Sequence, residues 1–166
     1  MRALGIDVGT RRIGLAISDP TGTLARPLTT LTIEDVPAKT GRGRRTRKTI
    51  AHSTGPAPGQ APSEAIDAIV RAIDQCTAEE DGLGIVVVGV PTHLDGTPTD
   101  ATSVAADVIS ALRARVSIPV IAQDERLSSH EAEQRLTIRE RDWRRRKARL
   151  DAAAAAVLLQ DYLDHR

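Results

Sequence analysis

Phenylalanine is absent from these 166 residues, and Trp143 and Tyr162 are the only aromatic side chains. The core must therefore be built from Val, Ile, Leu and Ala, and the chain lacks the aromatic platform on which single-stranded bases stack. Cysteine occurs once, at Cys76. That excludes an internal disulfide and leaves no partners for a thiol-based zinc site, so Cys76 is expected to be a small buried hydrophobe in a reducing cytoplasm. No run approaches the roughly 18 uninterrupted apolar residues that a membrane helix needs. The opening MRALGIDVGT carries Asp7 inside its apolar stretch and reads as neither a signal peptide nor a span. A soluble, cytoplasmic protein with no membrane partner is expected.

Net charge of one sign is missing too, since 23 Lys and Arg face 22 Asp and Glu for a formal +1. The informative quantity is local charge. Basic residues crowd Lys39 to Lys48 and Arg139 to Arg149, whereas the acids are dispersed. Length and a 40% hydrophobic content suit one domain over residues 1–166. Between Pro37 and Pro62 the chain is rich in Gly, Pro, Arg and Lys and poor in large apolar residues. Such a stretch buries too little to offset its ordering entropy, and 38–62 reads as a mobile basic insertion, either a spacer or an arm for phosphates.

What is present orders itself into strands and helices. Ala3–Val8 and Ile13–Ser18 are short apolar runs around a turn at Gly9 and Thr10, which predicts an antiparallel hairpin. Leu24–Thr32, with Pro27 inside, suits a third strand at or near a sheet edge. Apolar residues at helical spacing predict helices over Ser63–Thr77 and Thr97–Val116. The β-branched run Gly84–Val90 predicts a strand buried on both faces, and Ile118–Ala122 a further short one. A helix is expected after Ser128 or Ser129, and a last, Ala-rich helix over Asp151–Asp164. Strand, helix, strand implies a right-handed parallel crossover. The fold class is therefore α/β, a mixed sheet with helices on both faces.

Three acidic positions stand at the ends of these elements. Asp7 lies in an apolar strand just before a Gly turn, where a charge needs a partner; it is either a metal ligand or a turn cap. Asp124 and Glu125 follow the last strand, at the end where open α/β sheets place their sites. Neighbours in an extended segment point to opposite sides, so one of the two reaches a metal while the other orients Arg126 or the backbone. Asp151 opens the Ala-rich helix and is either a ligand or a helix cap. Together Asp7, one of the Asp124–Glu125 pair, and Asp151 can hold one or two divalent ions. All-oxygen donors suit Mg²⁺ or Mn²⁺, and such an ion activates water against a phosphodiester. Near them, Arg144, Arg145, Arg146 and Lys147 belong to a basic stretch that favours a polyanion, positioned through phosphate without base readout. Asp95, in an Asp-Gly pair, reads as a turn former.

The segments GIDVGTRRIGLAISD, VVVGVPTHLDGT, IPVIAQDERLSSHEAE and LDAAAAAVLLQDYL, in that order, resemble the YqgF/RuvX family. The resemblance implies an RNase H-like nuclease related to Holliday junction resolvases and assigned to maturation of the pre-16S rRNA end. It also implies a catalytic and metal-binding set of Asp7, Asp124 or Glu125, and Asp151, with Arg11 and Arg12 near phosphate; Arg126, next to the acid pair, is a further candidate for binding nucleic acid. Structured RNA within the small-subunit precursor, or branched DNA, is then the partner. Three rivals remain: a two-fold junction resolvase in DNA repair, a nucleotide phosphotransferase with a similar Asp-x-Gly-Thr hairpin, and a non-catalytic RNA-binding factor in which the acids are structural.

Overall fold

The computed structural model describes residues 1–9, 11–32, 63–92, 97–124 and 143–166, with side chains left aside at residue 100 and residues 143–149. Five strands form one sheet in the order β3-β2-β1-β4-β5. β1 (Arg2–Val8) pairs antiparallel with β2 (Arg12–Ser18), and β2 pairs antiparallel with β3 (Ala25–Thr32). β4 (Leu83–Val90) adds parallel to β1, and β5 (Val120–Asp124) parallel to β4. The helices are α1 (Ser63–Ala78), α2 (Asp100–Arg113) and α3 (Trp143–His165).

Strand periodicity of two divides the sheet into two apolar faces. Leu4, Ile6, Val8, Ile13, Leu15, Ile17, Val86 and Val88 pack against α1 and α2. Ala3, Ala16 and Val87 pack on the opposite face against Ala155, Ala156, Leu158, Leu159 and Leu163 of α3. The result is the mixed α/β sheet with helices on both faces that the sequence led one to expect. Aliphatic side chains fill both layers, and Cys76 is buried among those of α1. Pro27 lies in an edge strand, where its missing N–H costs no ladder bond, beside a register shift between Leu15 and Ala16.

Three element boundaries differ from the sequence reading. α2 starts at Asp100 because Thr99 caps it: the Thr99 side chain accepts from the Thr102 backbone N–H, and the Thr102 hydroxyl accepts from the Thr99 backbone N–H. β5 runs on through Asp124, so this acid belongs to the strand. The last helix begins at Trp143, eight residues before Asp151. Arg, Lys and Ala are strong helix formers, and the basic stretch continues the Ala-rich one. The basic insertion 38–62 and the helix expected after Ser129 lie outside the described residues.

Candidate active site

Parallel strands β1, β4 and β5 bring their C-terminal ends to one edge of the sheet, with Ile6 beside Val88 and Val90 beside Asp124. Asp7 is the penultimate residue of β1. It shares parity with Ala3 and Gly5, both under α3, so its carboxylate faces the α3 side. Its register partner across the hairpin is Gly14.

Gly14 is what lets the helix reach this acid. A Cβ there would sit 2.5 Å from the Asp151 carbonyl carbon and 3.1 Å from the Ala152 nitrogen. Two turns along, a Cβ at Gly5 would lie 2.8 Å from the Leu159 Cβ and 2.9 Å from the Ala155 oxygen. Glycines on β1 and β2 and alanines on α3 thus permit backbone-to-backbone approach. Since Asp7 is the neighbour of Gly14, that approach delivers Asp151 to Asp7. Asp151 lies in the third turn of α3, away from the orphan amides of the helix start, which removes the capping alternative for this residue.

The pair perturbs itself. Burial, and after it the neighbouring Asp151 charge, together push the Asp7 carboxyl up from 3.8 to about 6. Arg12, of the same parity as Gly14, directs Nη1 to within 3.7 Å of Asp151 Oδ2. A donor set of two carboxylates on facing elements, one held up by burial and a like charge, fits a hard divalent cation, which would offset both causes. Among the described residues no cluster of three or more His, Cys, Asp or Glu is assembled; Glu125 lies outside them.

Asp124 goes elsewhere. Within β5, Val120 belongs to the α1–α2 core, whereas Gln123 donates from Nε2 to Asp161 Oδ2 of α3 at 2.8 Å. Asp124 alternates with Gln123 and thus turns to the α2 side, where Oδ1 accepts from the Thr92 hydroxyl at 3.0 Å. It ties the end of β5 to the segment after β4 on the side of the sheet away from Asp7.

Of the arginines expected near phosphate, Arg11 is exposed in the hairpin turn, which the Gly9 N–H closes onto the Arg12 carbonyl at 2.9 Å. Arg12 instead faces Asp151. The backbone of residues 144–147 forms the opening turns of α3, leading into Asp151, and Arg126 lies outside the described residues. Two contributors escaped the sequence reading. Gly14 had a legible signal, a glycine inside a β-branched strand, which marks close approach by another backbone. Thr92 had none, since its role depends on where Asp124 points.

The RuvX family, described as a Holliday junction resolvase, matches residues 1–42 and 45–165 of this chain. A protein of Anaeromyxobacter sp. (strain K) named "Putative pre-16S rRNA nuclease" is 36% identical over 166 residues, covering 100% of this chain and 98% of that one. One of the same name from Geobacillus thermodenitrificans (strain NG80-2) is 32% identical over 166 residues, covering 100% and 99%. Among solved structures, T. thermophilus RuvC in complex with a Holliday junction substrate aligns with a TM-score of 0.42 and 16% identity over 95% of this chain and 91% of that one. With the family match running through both Asp7 and Asp151, and relatives aligned end to end, the chain belongs to the RuvX family.

Proposed function

We propose that this protein is a metal-dependent nuclease that hydrolyses phosphodiester bonds in structured nucleic acid, processing the 5′ end of pre-16S rRNA in the cytoplasm. The observation that carries this reading is the meeting of Asp7 and Asp151 at the C-terminal edge of the sheet, through contacts that only Gly14 permits. The names of the full-length relatives support the substrate class. Asp7, Asp151 and Glu125 are the residues that would hold Mg²⁺ or Mn²⁺. When bound, the ion would lower the pKa of an attacking water and offset charge on the scissile phosphate.

The chain's own residues do the rest. Asp7 must be ionised to hold a cation, so loading of the site rises with pH through about 6. Asp124, committed to Thr92 on the other side of the sheet, is a positioning residue that fixes the end of β5, which leaves Glu125 of the pair as the third acid. Arg11 and the basic start of α3, Arg144 to Lys147, are suited to hold phosphates around the scissile bond, with Arg126 and the 38–62 insertion as further candidates. No described helix is long and apolar enough to cross a membrane.

The family description favours a second substrate, a four-way DNA junction. Incubating the purified chain with a precursor of the small-subunit rRNA and with a DNA four-way junction, in Mg²⁺, Mn²⁺ or EDTA, separates the two. Metal-dependent cutting of the RNA near its 5′ end is expected; symmetric nicking of the junction alone would transfer the proposal to a resolvase. No cleavage of either would favour a binding factor.

A further inference from the structure

Arg12 occupies an unusual position for a residue expected to grip phosphate. It begins β2, shares the α3-facing parity of Gly14, and its guanidinium is drawn inward toward Asp151, with the two side chains 23% and 28% exposed. The Nη1–Oδ2 separation of 3.7 Å is an ion pair without a hydrogen bond. Nη1 is itself buried and makes no hydrogen bond among the described residues, a poor resting state for a guanidinium. The backbone contact of α3 with β2 at Gly14 fixes the turn that carries Asp151. The attraction is therefore present without a hydrogen bond to lock it.

Building on the metal-dependent reading above, we propose that Arg12 is an internal counter-ion that holds Asp151 until a divalent cation takes its place, so that arginine and cation compete for one carboxylate. Arg12 places a positive charge beside the Asp7–Asp151 pair in the metal-free protein. With metal present, the guanidinium becomes redundant there and is repelled by the ion. It lies at the end of the hairpin turn that also carries Arg11, so a released Arg12 can turn toward the phosphate of an arriving strand. One side chain would thus serve the empty site and the loaded one in turn, and metal loading and phosphate binding would favour each other.

The test is calorimetric titration of the full chain with Mn²⁺ alone at pH 8, where Asp7 is ionised, using wild type, Arg12→Gln, Arg12→Lys and Asp151→Asn. Arg12→Gln is expected to bind Mn²⁺ about tenfold more tightly than wild type, Arg12→Lys to stay close to wild type, and Asp151→Asn to lose binding. Arg12→Gln binding no more tightly than wild type, with Asp151→Asn still losing the ion, would overturn the counter-ion and leave the metal centre standing. Absence of Mn²⁺ binding by both wild type and Arg12→Gln would overturn the metal centre and the counter-ion with it. Should Arg12→Gln fail to fold, Mg²⁺ titration of wild type followed through the Arg12 side-chain N–H resonance decides. A shift toward a solvent-exposed arginine on loading supports displacement, and an unmoved resonance refutes it.

Discussion

Replacing Gly14 by alanine tests the geometry on which the site depends. The added Cβ would lie 2.5 Å from the Asp151 carbonyl carbon and closer still to its oxygen, whereas ordinary contact begins near 3.4 Å. Both clashing atoms are backbone, so no side chain can swing away, and α3 must retreat from β2 by about 1 Å at this point. Overpacking of this kind costs about 1–3 kcal/mol, and each kcal/mol lowers the melting temperature of a chain this long by roughly 2–4 °C. Asp151 rides on the displaced turn, and a displacement of about 1 Å in a catalytic group can cost about 100-fold in rate. The assay is kcat on a small-subunit rRNA precursor, with Gly82→Ala as the comparison. Gly82 has φ +59° and open space around its would-be Cβ; it precedes β4 at the sheet edge opposite Asp7. Alanine there costs about 1–2 kcal/mol through backbone strain alone and should leave kcat unchanged. A Gly14→Ala protein that melts as low as Gly82→Ala yet cleaves like wild type would refute the reasoning.

Three further outcomes follow from the same contacts. Because Asp7 is lifted from 3.8 to about 6, the folded chain holds that proton more tightly than the unfolded one. The associated stability is therefore present in full below about pH 4 and is lost as pH rises through about 6. In metal-free buffer Asp7→Asn should melt above wild type at pH 8, by an amount on the order of 3 kcal/mol, and match it near pH 4; equal melting at both values would contradict the burial account. Glu125→Gln should abolish cleavage while Asp124→Asn retains most of it, since an amide oxygen still accepts from Thr92, and the reverse result would exchange their roles. Thr99→Ala should cost about 1 kcal/mol by uncapping α2, seen in thermal melts, with cleavage rates unchanged.

Much of this arrangement was legible in the sequence, for identifiable reasons. The antiparallel hairpin follows from two β-branched runs around Gly9, and the two-sided burial of β4 from its unbroken Ile and Val residues. Asp7 stood out because a carboxylate inside an apolar strand must be accounted for. The start of α3 was less accessible, because a dense basic run reads first as a ligand-facing surface, while the helix propensity of Arg and Lys extends α3 back to Trp143. Asp151 thereby changes from a candidate cap to an interior helical residue. The separation of Asp124 from Asp7 hinged on the end of β5: with the strand running to Asp124 instead of stopping at Ala122, its parity is set by Gln123 and its partner by Thr92. Arg12 could be placed near the site from sequence, but its turn toward Asp151 arises from packing between two elements far apart in the chain.

The central claim, that Asp7 and Asp151 together form a metal-binding catalytic pair, is tested most directly by comparing wild type with Asp7→Asn and Asp151→Asn for both binding and cleavage of the rRNA precursor in Mg²⁺. Each variant is expected to bind the RNA as wild type does and to cut it at least about 100-fold more slowly. Wild-type cleavage by either variant, or cleavage by wild type that persists undiminished in EDTA, would contradict the claim.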